Sequence, residues 1–445
     1  MTIKVRRILS LIFFLLFITV TPAIMLYAAG YKLGSNGLSI ERTGMFIIDS
    51  KPKGAVIYLN GKPREAWISS ILNKKEFITT PAKIKNLLPG EYDLKIELDG
   101  YWSWEKKLTV NPGASTFAEN IYLFKDSLPT QIASGAAATV KLSPDKTQTM
   151  ILSPGRLAVI NLLDETEKTA AAAGLSGKNS AWSDRGNKII IDDWLYDLNN
   201  WPGQTDLKKI LPDSSDYKWS GGDLYYRDKN SIYRLSGSNL PHKIIGNENF
   251  SDYLIKNDYL YLIGGSGQAA SLKVIELSGA KLIKEISLPA AAAGYIFINR
   301  EQSLLNIYDA GHEMLYLLDP LSSFQPLADV ISNIKISFWV NSDSLLYAND
   351  FEIWLYRPSS KQKTLITRIS EQINNLIMHP GRDHIIYSTA KTINAIELDE
   401  REKRNITELV KFDSIKTLSL NSKGDVIYFS GKIGNSEGLY KFLIQ

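Results

Sequence analysis

Histidines are the residues of this chain whose side chains most readily ligate metals or transfer protons. The 445 residues contain four of them, His242, His312, His379 and His384. No His-Glu-x-x-His spacing joins any two, so a zinc site would need ligands from distant parts of the chain. The absence of cysteine excludes disulfides, thiol catalysis and thiolate metal ligands. We expect the histidines to be turn or surface residues, with no metal and no cofactor.

Two glycine-rich stretches contain only part of a phosphate-loop pattern. In residues 174–179 the first glycine stands too close to Lys178, and Asn179 occupies the position where Ser or Thr must meet magnesium. Residues 264–267 lie between two strand-like runs, and a flexible hairpin explains them better. We predict flexible connections in both places.

Paired carboxylates are the remaining enzymatic candidate, because glycan hydrolysis needs two acids that face one bond. Asp192 and Asp193 are adjacent and are predicted to point to opposite faces of a strand. No Gly-x-Ser-x-Gly element marks a hydrolase domain. The sequence therefore predicts a protein that is not an enzyme and has no catalytic residue. The other aspartates considered occupy turns, where a carboxylate usually caps backbone amides: Asp145, Asp184, Asp258 and Asp343.

The elements that hold these residues form a repeat after residue 135. An apolar strand, a turn rich in Ser, Asn or Asp and a second apolar strand recur with a period of roughly 40 residues, as in four-stranded propeller blades. We predict a mainly β chain with an eight-bladed β-propeller over residues 130–445, or seven blades if the weak units around Trp219 and Lys256 merge. The turns fall at Ser143, Ser183, Ser220, Lys256, Asn299, Asn341, His379 and Asn421.

The outer strands determine how the predicted ring closes. One fourth strand is expected at residues 207–211, and the first blade has a poorer alanine-rich candidate. The eighth unit shows no fourth strand before Gln445. Because an open ring would expose an unpaired strand edge, we expect residues 130–134 to supply the missing outer strand.

The N-terminal region is predicted to anchor the protein. A basic tail over residues 1–7, with Lys4, Arg6 and Arg7, precedes an uncharged apolar run over residues 8–31. Roughly 20 apolar residues at about 1.5 Å each cross a bilayer as a helix, and the basic tail favours a cytoplasmic N-terminus. A cleaved signal peptide is the alternative, but a bulky residue occupies its first small-residue position in residues 26–29. We predict a single-pass cell-membrane protein with an extracytoplasmic body.

Composition agrees with an extracytoplasmic location. The formal charge of +4 shows no basic stripe beyond the N-terminal tail, so a nucleic-acid partner has little support. An outside protein that folds without disulfides favours a bacterial source over a eukaryotic secretory pathway.

Residues 43–123 form a smaller strand-rich unit with several separate turn motifs. An Asn-Gly hairpin signal follows the second strand, and the strict alternation of residues 93–98 indicates a half-buried strand. The turn residues that recur through this region are Pro52, Gly54, Gly61, Pro81, Pro89, Gly90, Gly100 and Tyr101.

These spaced motifs resemble the PEGA domain, a small β-sandwich of the cell envelope. The resemblance covers most of residues 43–123 and implies a surface-layer or polymer-associated module without catalysis. Residues 64–77 depart from the family pattern because they are longer and less glycine-rich. The repeat is similar to TolB-like and WD-type propellers at residues 143–145, 182–186 and 421–424, which implies the fold alone.

Tryptophans are the candidates for binding surfaces. Trp102 and Trp104 are two positions apart and are predicted to share one face of a strand, either as core or as an exposed platform for carbohydrate or protein. Trp182, Trp219 and Trp339 hold related positions in the repeat and are predicted to pack between blades. Other binding is expected at the central face of the propeller, where loops from all blades converge.

The sequence thus predicts a non-enzymatic, membrane-anchored cell-envelope protein whose propeller docks proteins or wall polymer. The alternative is an extracytoplasmic propeller enzyme acting on glycans or peptides, which would need two carboxyl groups within about 5–10 Å in an open central pocket. A structural spacer is the third hypothesis, and it requires that neither propeller face carries a large apolar patch.

Overall fold

The computed structural model of the protein describes residues 3–34, 37, 39–65, 76–135, 139–236, 240–265, 270–291, 294–298 and 304–445. The chain forms two compact units. The first comprises Met1–Ser127 together with Ile396–Thr407 and Ile444–Gln445, and the second comprises Leu128–Ala395 and Glu408–Leu443. Both are built mainly from β-strands.

The N-terminal helix, α1 (Ile3–Ala28), presents apolar side chains to the outside. Within it, Val5–Ala28 is long and apolar enough to cross a membrane, and none of it is buried in the protein. A signal sequence near the N-terminus would meet the same criteria of length and apolar composition. The helix ends where Gly30 adopts a left-handed conformation, φ 84°, that costs glycine little.

The rest of the first unit is a small β-sandwich with one shared core. One sheet has the strand order β6 (Ala82–Leu87), β3 (Gly44–Lys51) and β9 (Ser115–Tyr122), with β3 and β9 parallel. The other has the order β5 (Lys62–Pro63), β4 (Val56–Leu59), β7 (Gly90–Glu97) and β8 (Trp104–Val110). Apolar side chains from both sheets, including Phe46, Ile57 and Ile96, form a single buried cluster. Strands β1 (Tyr31–Leu33) and β2 (Ile40–Arg42) form a separate two-stranded sheet.

The second unit is a β-propeller. Its described residues form eight four-stranded sheets, seven of them built from four consecutive strands and the eighth from three consecutive strands and the closing strand, which confirms the predicted eight blades and shows that the seven-bladed alternative was wrong. The closing strand is β10 (Thr130–Ser134).

The strands of the blades have the following bounds. Blade 1 contains β11 (Thr139–Leu142), β12 (Gln148–Ser153), β13 (Gly155–Asn161) and β14 (Glu167–Ala172); blade 2 contains β15 (Ser180–Trp182), β16 (Lys188–Ile191), β17 (Trp194–Asp197) and β18 (Gln204–Asp206); blade 3 contains β19 (Ser214–Ser220), β20 (Asp223–Asp228), β21 (Ser231–Leu235) and β22 (Pro241–Ile245). Blade 4 contains β23 (Phe250–Lys256), β24 (Tyr259–Gly264), β25 (Ser271–Glu276) and β26 (Lys281–Ser287); blade 5 contains β27 (Tyr295–Ile298), β28 (Leu305–Asp309), β29 (Met314–Leu318) and β30 (Leu327–Ser332). Blade 6 contains β31 (Ile336–Asn341), β32 (Ser344–Ala348), β33 (Glu352–Arg357) and β34 (Gln362–Arg368); blade 7 contains β35 (Asn375–Met378), β36 (His384–Ser388), β37 (Thr392–Glu397) and β38 (Ile406–Lys411); blade 8 contains β39 (Ser414–Leu420), β40 (Val426–Ile433) and β41 (Ser436–Leu443).

The ring is closed by a strand from the other end of the repeat. Strand β10 pairs antiparallel with β41, Thr130 opposite Lys441, and is the outer strand of blade 8. Apolar side chains of blades 8 and 1, among them Tyr428 and Ile160, then share one buried cluster. The outer edge of blade 8 is therefore paired rather than left open.

Blades 2 and 4 show why local turn chemistry matters. Residues 207–210, predicted as a strand, form a short helix, α2 (Leu207–Ile210), because the Asp206 side chain accepts from the Lys208 N–H as an N-cap. The outer strand is instead β18. In blade 4, Asn257 and Asp258 are both left-handed, φ 48° and 62°, as a tight hairpin requires, so this weak unit is a separate blade.

Some sequence features lie outside the described residues. The expected turn at Asn299 does so, as do most of residues 64–77 and the second half of residues 264–267. The alanine-rich candidate in the first blade is strand β14, which pairs with β13.

Candidate docking site

A cavity of about 610 Å³ lies where the innermost strands of blades 6, 7, 8 and 1 turn into their second strands. The turns that border it belong to the predicted repeat, and they include Asp145, His379 and Ser422. Most of its wall is apolar. The apolar lining includes Leu142, Phe338, Val340, Met378, Leu418 and Leu420.

His379 in the cavity wall joins the turns of blades 7 and 8. The backbone N–H of Gly381 donates to its Nδ1 at 3.1 Å, and Nε2 lies 3.0 Å from the carbonyl oxygen of Gly424. Because Nδ1 accepts and a carbonyl can only accept, the proton of the neutral ring is on Nε2. Both ring nitrogens are therefore engaged with backbone groups. Gly424 permits this approach, since a Cβ there would lie 2.7 Å from Nε2.

Asp145 at the edge of the cavity caps its own turn, as predicted. Its carboxylate accepts from the Ser143 hydroxyl at 2.5 Å and from both the N–H and the hydroxyl of Thr147, at 3.1 and 2.8 Å. Burial alone would raise the pKa of Asp145, but these hydrogen bonds outweigh it and lower the pKa below the ordinary value. The carboxylate is thus ionised and committed to its own turn.

Two cations border the same cavity. Lys146 and Arg382 are exposed, both have left-handed backbones, φ 57° and 60°, and neither forms an ion pair among the residues that the structure describes. Positive φ at non-glycine residues is uncommon and marks tight turns. These turns hold the two side chains beyond the strand ends.

The repeat tryptophans pack between blades, which confirms the sequence prediction. Trp182 contacts a cluster shared by blades 1 and 2, and Trp339 contacts one shared by blades 5 and 6. Their indole groups differ: Trp182 Nε1 donates to the Lys141 carbonyl at 3.2 Å, whereas the buried Trp339 Nε1 has no hydrogen-bond partner in the described part of the chain. Trp219 likewise packs between blades, and its buried Nε1 also has no hydrogen-bond partner among the described residues.

The remaining histidines have separate surroundings. His312 Nδ1 lies 2.6 Å from Oδ2 of the buried Asp309, whose other oxygen accepts from the backbone of Gly311. His242 is exposed on β22, and His384 is buried on β36. No group of three His, Asp or Glu side chains within the described ranges is placed to hold a metal ion.

The glycine-rich loop at residues 174–179 is filled by a carboxylate. Asp192 accepts from the N–H groups of Ser176 at 2.7 Å, Gly177 at 3.2 Å and Asn179 at 3.4 Å. Burial would raise the pKa of Asp192, but these bonds lower it below the ordinary value. Asp193 instead accepts from the Tyr217 hydroxyl at 3.1 Å. The loop amides are already satisfied, and the two adjacent acids serve different partners.

The two tryptophans of the first unit have different environments. Trp104 is 7% exposed in the sandwich core, and its Nε1 donates to Glu397 Oε2 at 2.8 Å. Trp102 is 42% exposed. The platform role therefore stays a prediction for Trp102 alone.

The predicted turn residues of the sandwich lie at strand ends. Gly54, Gly61 and Gly100 have φ of 92°, 75° and 76°, where a side chain would be strained. Tyr101 packs against the core and bridges to Lys125. Pro52 and Pro81 follow cis peptide bonds, and Pro89 and Gly90 connect β6 to β7.

Lys106 is a buried ionic residue that the sequence analysis missed. Its side chain has no exposed surface, and Nζ lies 2.6 Å from Glu397 Oε1 and 3.4 Å from Asp399 Oδ2. A signal was present, because Lys106 occupies the inward phase of β8, between Trp104 and Leu108. A lysine in a strictly alternating buried face indicates an acidic partner.

The eight sheets and the paired closing strand define a β-propeller protein with a small β-sandwich. No protein-family model and no curated protein sequence matches the chain. Among solved structures it is similar to the Dos1 propeller, with 12% identity, a TM-score of 0.49 and coverage of 71% of this chain and 94% of that one.

Two further solved structures are similar at the same level. A eukaryotic initiation factor has 11% identity and a TM-score of 0.48, with 72% and 92% of the two chains covered. Dihydro-heme d1 dehydrogenase NirN in complex with DHE has 14% identity and a TM-score of 0.46, with 70% and 72% covered. Likenesses this distant concern the fold alone.

Proposed function

We propose that the protein is a non-enzymatic, single-pass protein of the bacterial cell envelope whose propeller docks another protein outside the membrane. The observation that carries the proposal is the apolar cavity with a cationic border, in a chain that also has an exposed apolar N-terminal helix. The first unit contributes a PEGA-like sandwich, a module associated with the envelope rather than with catalysis.

The chemistry of the cavity favours docking over hydrolysis. Asp145 is the one carboxylate among the described residues that line the cavity, and it is bound to its own turn. Both nitrogens of His379 are engaged with backbone groups. General acid–base hydrolysis of a glycan needs two available acids, and the described part of the wall does not supply them.

Single cysteines test the membrane topology, because the chain has none of its own. Lys281→Cys, exposed on β26, should react with a membrane-impermeant maleimide on intact cells, and Arg6→Cys only after permeabilisation. Labelling of Arg6→Cys on intact cells would contradict the orientation. A mature chain that lacks the Arg6→Cys label would show that the helix is cleaved.

Affinity capture from detergent-solubilised envelopes tests docking. The full chain is compared with Met378→Arg, which fills the cavity, and with Leu282→Arg, half exposed on the outer strand of blade 4. We expect a partner retained by Leu282→Arg and lost with Met378→Arg. Deletion of residues 130–445 is a poor control, since it also removes residues 396–407 and 444–445 of the first unit.

Two outcomes would reject the docking function. One is that the full chain captures nothing beyond a denatured sample of the same protein. The other is that purified full chain cleaves wall glycan or peptide, which would support the enzyme alternative.

A further inference from the structure

The apolar wall of the cavity comes from four neighbouring innermost strands. Phe338 and Val340 lie on β31, Met378 ends β35, Leu420 ends β39 and Leu142 ends β11. At about 610 Å³ the cavity has the size of a ligand site and exceeds the volume of one apolar side chain. Water in such surroundings finds few partners, so an apolar group that replaces it is favoured.

The uncommitted charge at the border is positive. Lys146 and Arg382 line the cavity, and neither has an ion-pair partner in the described ranges. The carboxylate of Asp145 stays charged and accepts hydrogen bonds from Ser143 and Thr147, so two cations and one anion leave the border net positive. A ligand with a carboxylate beside its apolar group therefore complements the border.

From the apolar wall and the cationic border we infer that the cavity binds an extended segment of the partner protein, with a large apolar side chain inside it and a neighbouring carboxylate at Lys146 and Arg382. The inference rests on the proposed docking function and specifies the partner's chemistry. A peptide supplies the apolar side chain and a carboxylate within a few residues. A wall glycan lacks the apolar group.

Selection of peptides on the full chain tests the inference. A phage-displayed library of random peptides is selected on detergent-solubilised protein and depleted on Met378→Arg. We expect enriched sequences that place Asp or Glu within a few residues of Leu, Ile, Met, Phe or Trp. Enrichment of basic sequences, of sequences without a large apolar residue, or of none over Met378→Arg would overturn the inference.

Affinity of an enriched synthetic peptide then tests each contact by fluorescence anisotropy. Arg382→Glu and Lys146→Glu should each raise the Kd about tenfold or more, and 0.5 M salt should weaken binding. Lys281→Glu is the charge control and should leave the Kd unchanged. Arg382→Gln guards against misfolding, and an unchanged Kd in both Arg382 variants would overturn the assigned contact.

Failure of this inference differs from failure of the docking function. If capture of the envelope partner survives Met378→Arg and Arg382→Glu, docking stands and the cavity inference is overturned. If a soluble muropeptide mixture competes with the full chain's partner and the enriched peptide does not, the cavity binds glycan and the peptide inference is overturned. If the full chain captures no partner, the docking function itself fails.

Discussion

Replacement of Lys106 by methionine should loosen residues 396–407 from the rest of the first unit. The Lys106 Nζ lies 2.6 Å from Glu397 Oε1, 3.4 Å from Asp399 Oδ2 and 2.9 Å from the Asp399 carbonyl. Methionine keeps the length of the side chain but leaves Glu397, whose side chain is 6% exposed, without its cation. Breaking a buried ion pair from one side costs about 3–5 kcal/mol.

The remaining hydrogen bonds of Glu397 set the expected size within that range. Its carboxylate still accepts from Trp104 Nε1 at 2.8 Å and from the Asn405 N–H at 2.9 Å. The cost should therefore fall near the lower limit, about 3 kcal/mol. That corresponds to a roughly hundredfold higher population of the open segment.

Hydrogen exchange of residues 396–407 in the full chain measures this opening, and trypsin cleavage after Arg401, Lys403 or Arg404 gives a second readout. Lys107→Met is the matched control, because Lys107 is 48% exposed and its amine lies 4.0 Å from Asp93. Equal protection in Lys106→Met and Lys107→Met would refute the reasoning. The double variant Lys106→Met, Glu397→Gln should recover most of the loss, since it removes the unpaired charge.

Three further changes have defined signs. Burial would raise the pKa of Asp399, but Arg401 and Lys106 hold this pKa below 3.8. The stabilisation that Asp399 provides is therefore present above about pH 4 and is lost as the pH falls through the lowered pKa. Hydrogen exchange of residues 396–407 between pH 5 and pH 2.5 measures this loss of protection, which should be shallower in Asp399→Asn. Burial also lowers the pKa of Lys256, whose Nζ has no hydrogen-bond partner in the described part of the chain. Lys256→Met should therefore raise the free energy of unfolding, measured by thermal unfolding, by about 1 kcal/mol. The control Lys273→Met breaks a 2.7 Å contact with Glu248 and should not raise it. Gly424→Ala should lower the free energy of unfolding by about 1 kcal/mol more than Gly434→Ala, as measured by thermal unfolding. Both glycines have positive φ, but only a Cβ at Gly424 would lie 2.7 Å from His379 Nε2. Equal losses of stability would contradict the geometry of the cavity wall.

The architecture could be predicted from the sequence because the repeat is marked by local turn residues. The turn residues at Ser143 and Ser183 mark the same point in successive blades, and a missing outer strand required a donor, which β10 supplies. Local prediction failed at residues 207–210, where a capping aspartate converts an apolar run into helix α2. Strand periodicity cannot register a side-chain cap of this kind.

The docking cavity could not be predicted from the sequence, because it depends on contacts between residues that are distant in the chain. The cavity combines side chains from Leu142 to Leu420, and a single-sequence pattern does not show which blades leave space between them. The filling of the glycine-rich loop by Asp192 likewise depends on a neighbouring hairpin. Lys106 is the exception, since its position in the buried phase of β8 was visible in the alternation.

Site-specific photocrosslinking in intact envelopes tests the docking cavity most directly. Benzoylphenylalanine is placed in the full chain at Met378, inside the cavity, or at Leu282, on the outer strand of blade 4. A discrete adduct from Met378 alone is predicted, lost with Arg382→Glu, and its crosslinked peptide should carry a large apolar residue beside Asp or Glu. No adduct from Met378, or the same adducts from both positions, would contradict a docking cavity.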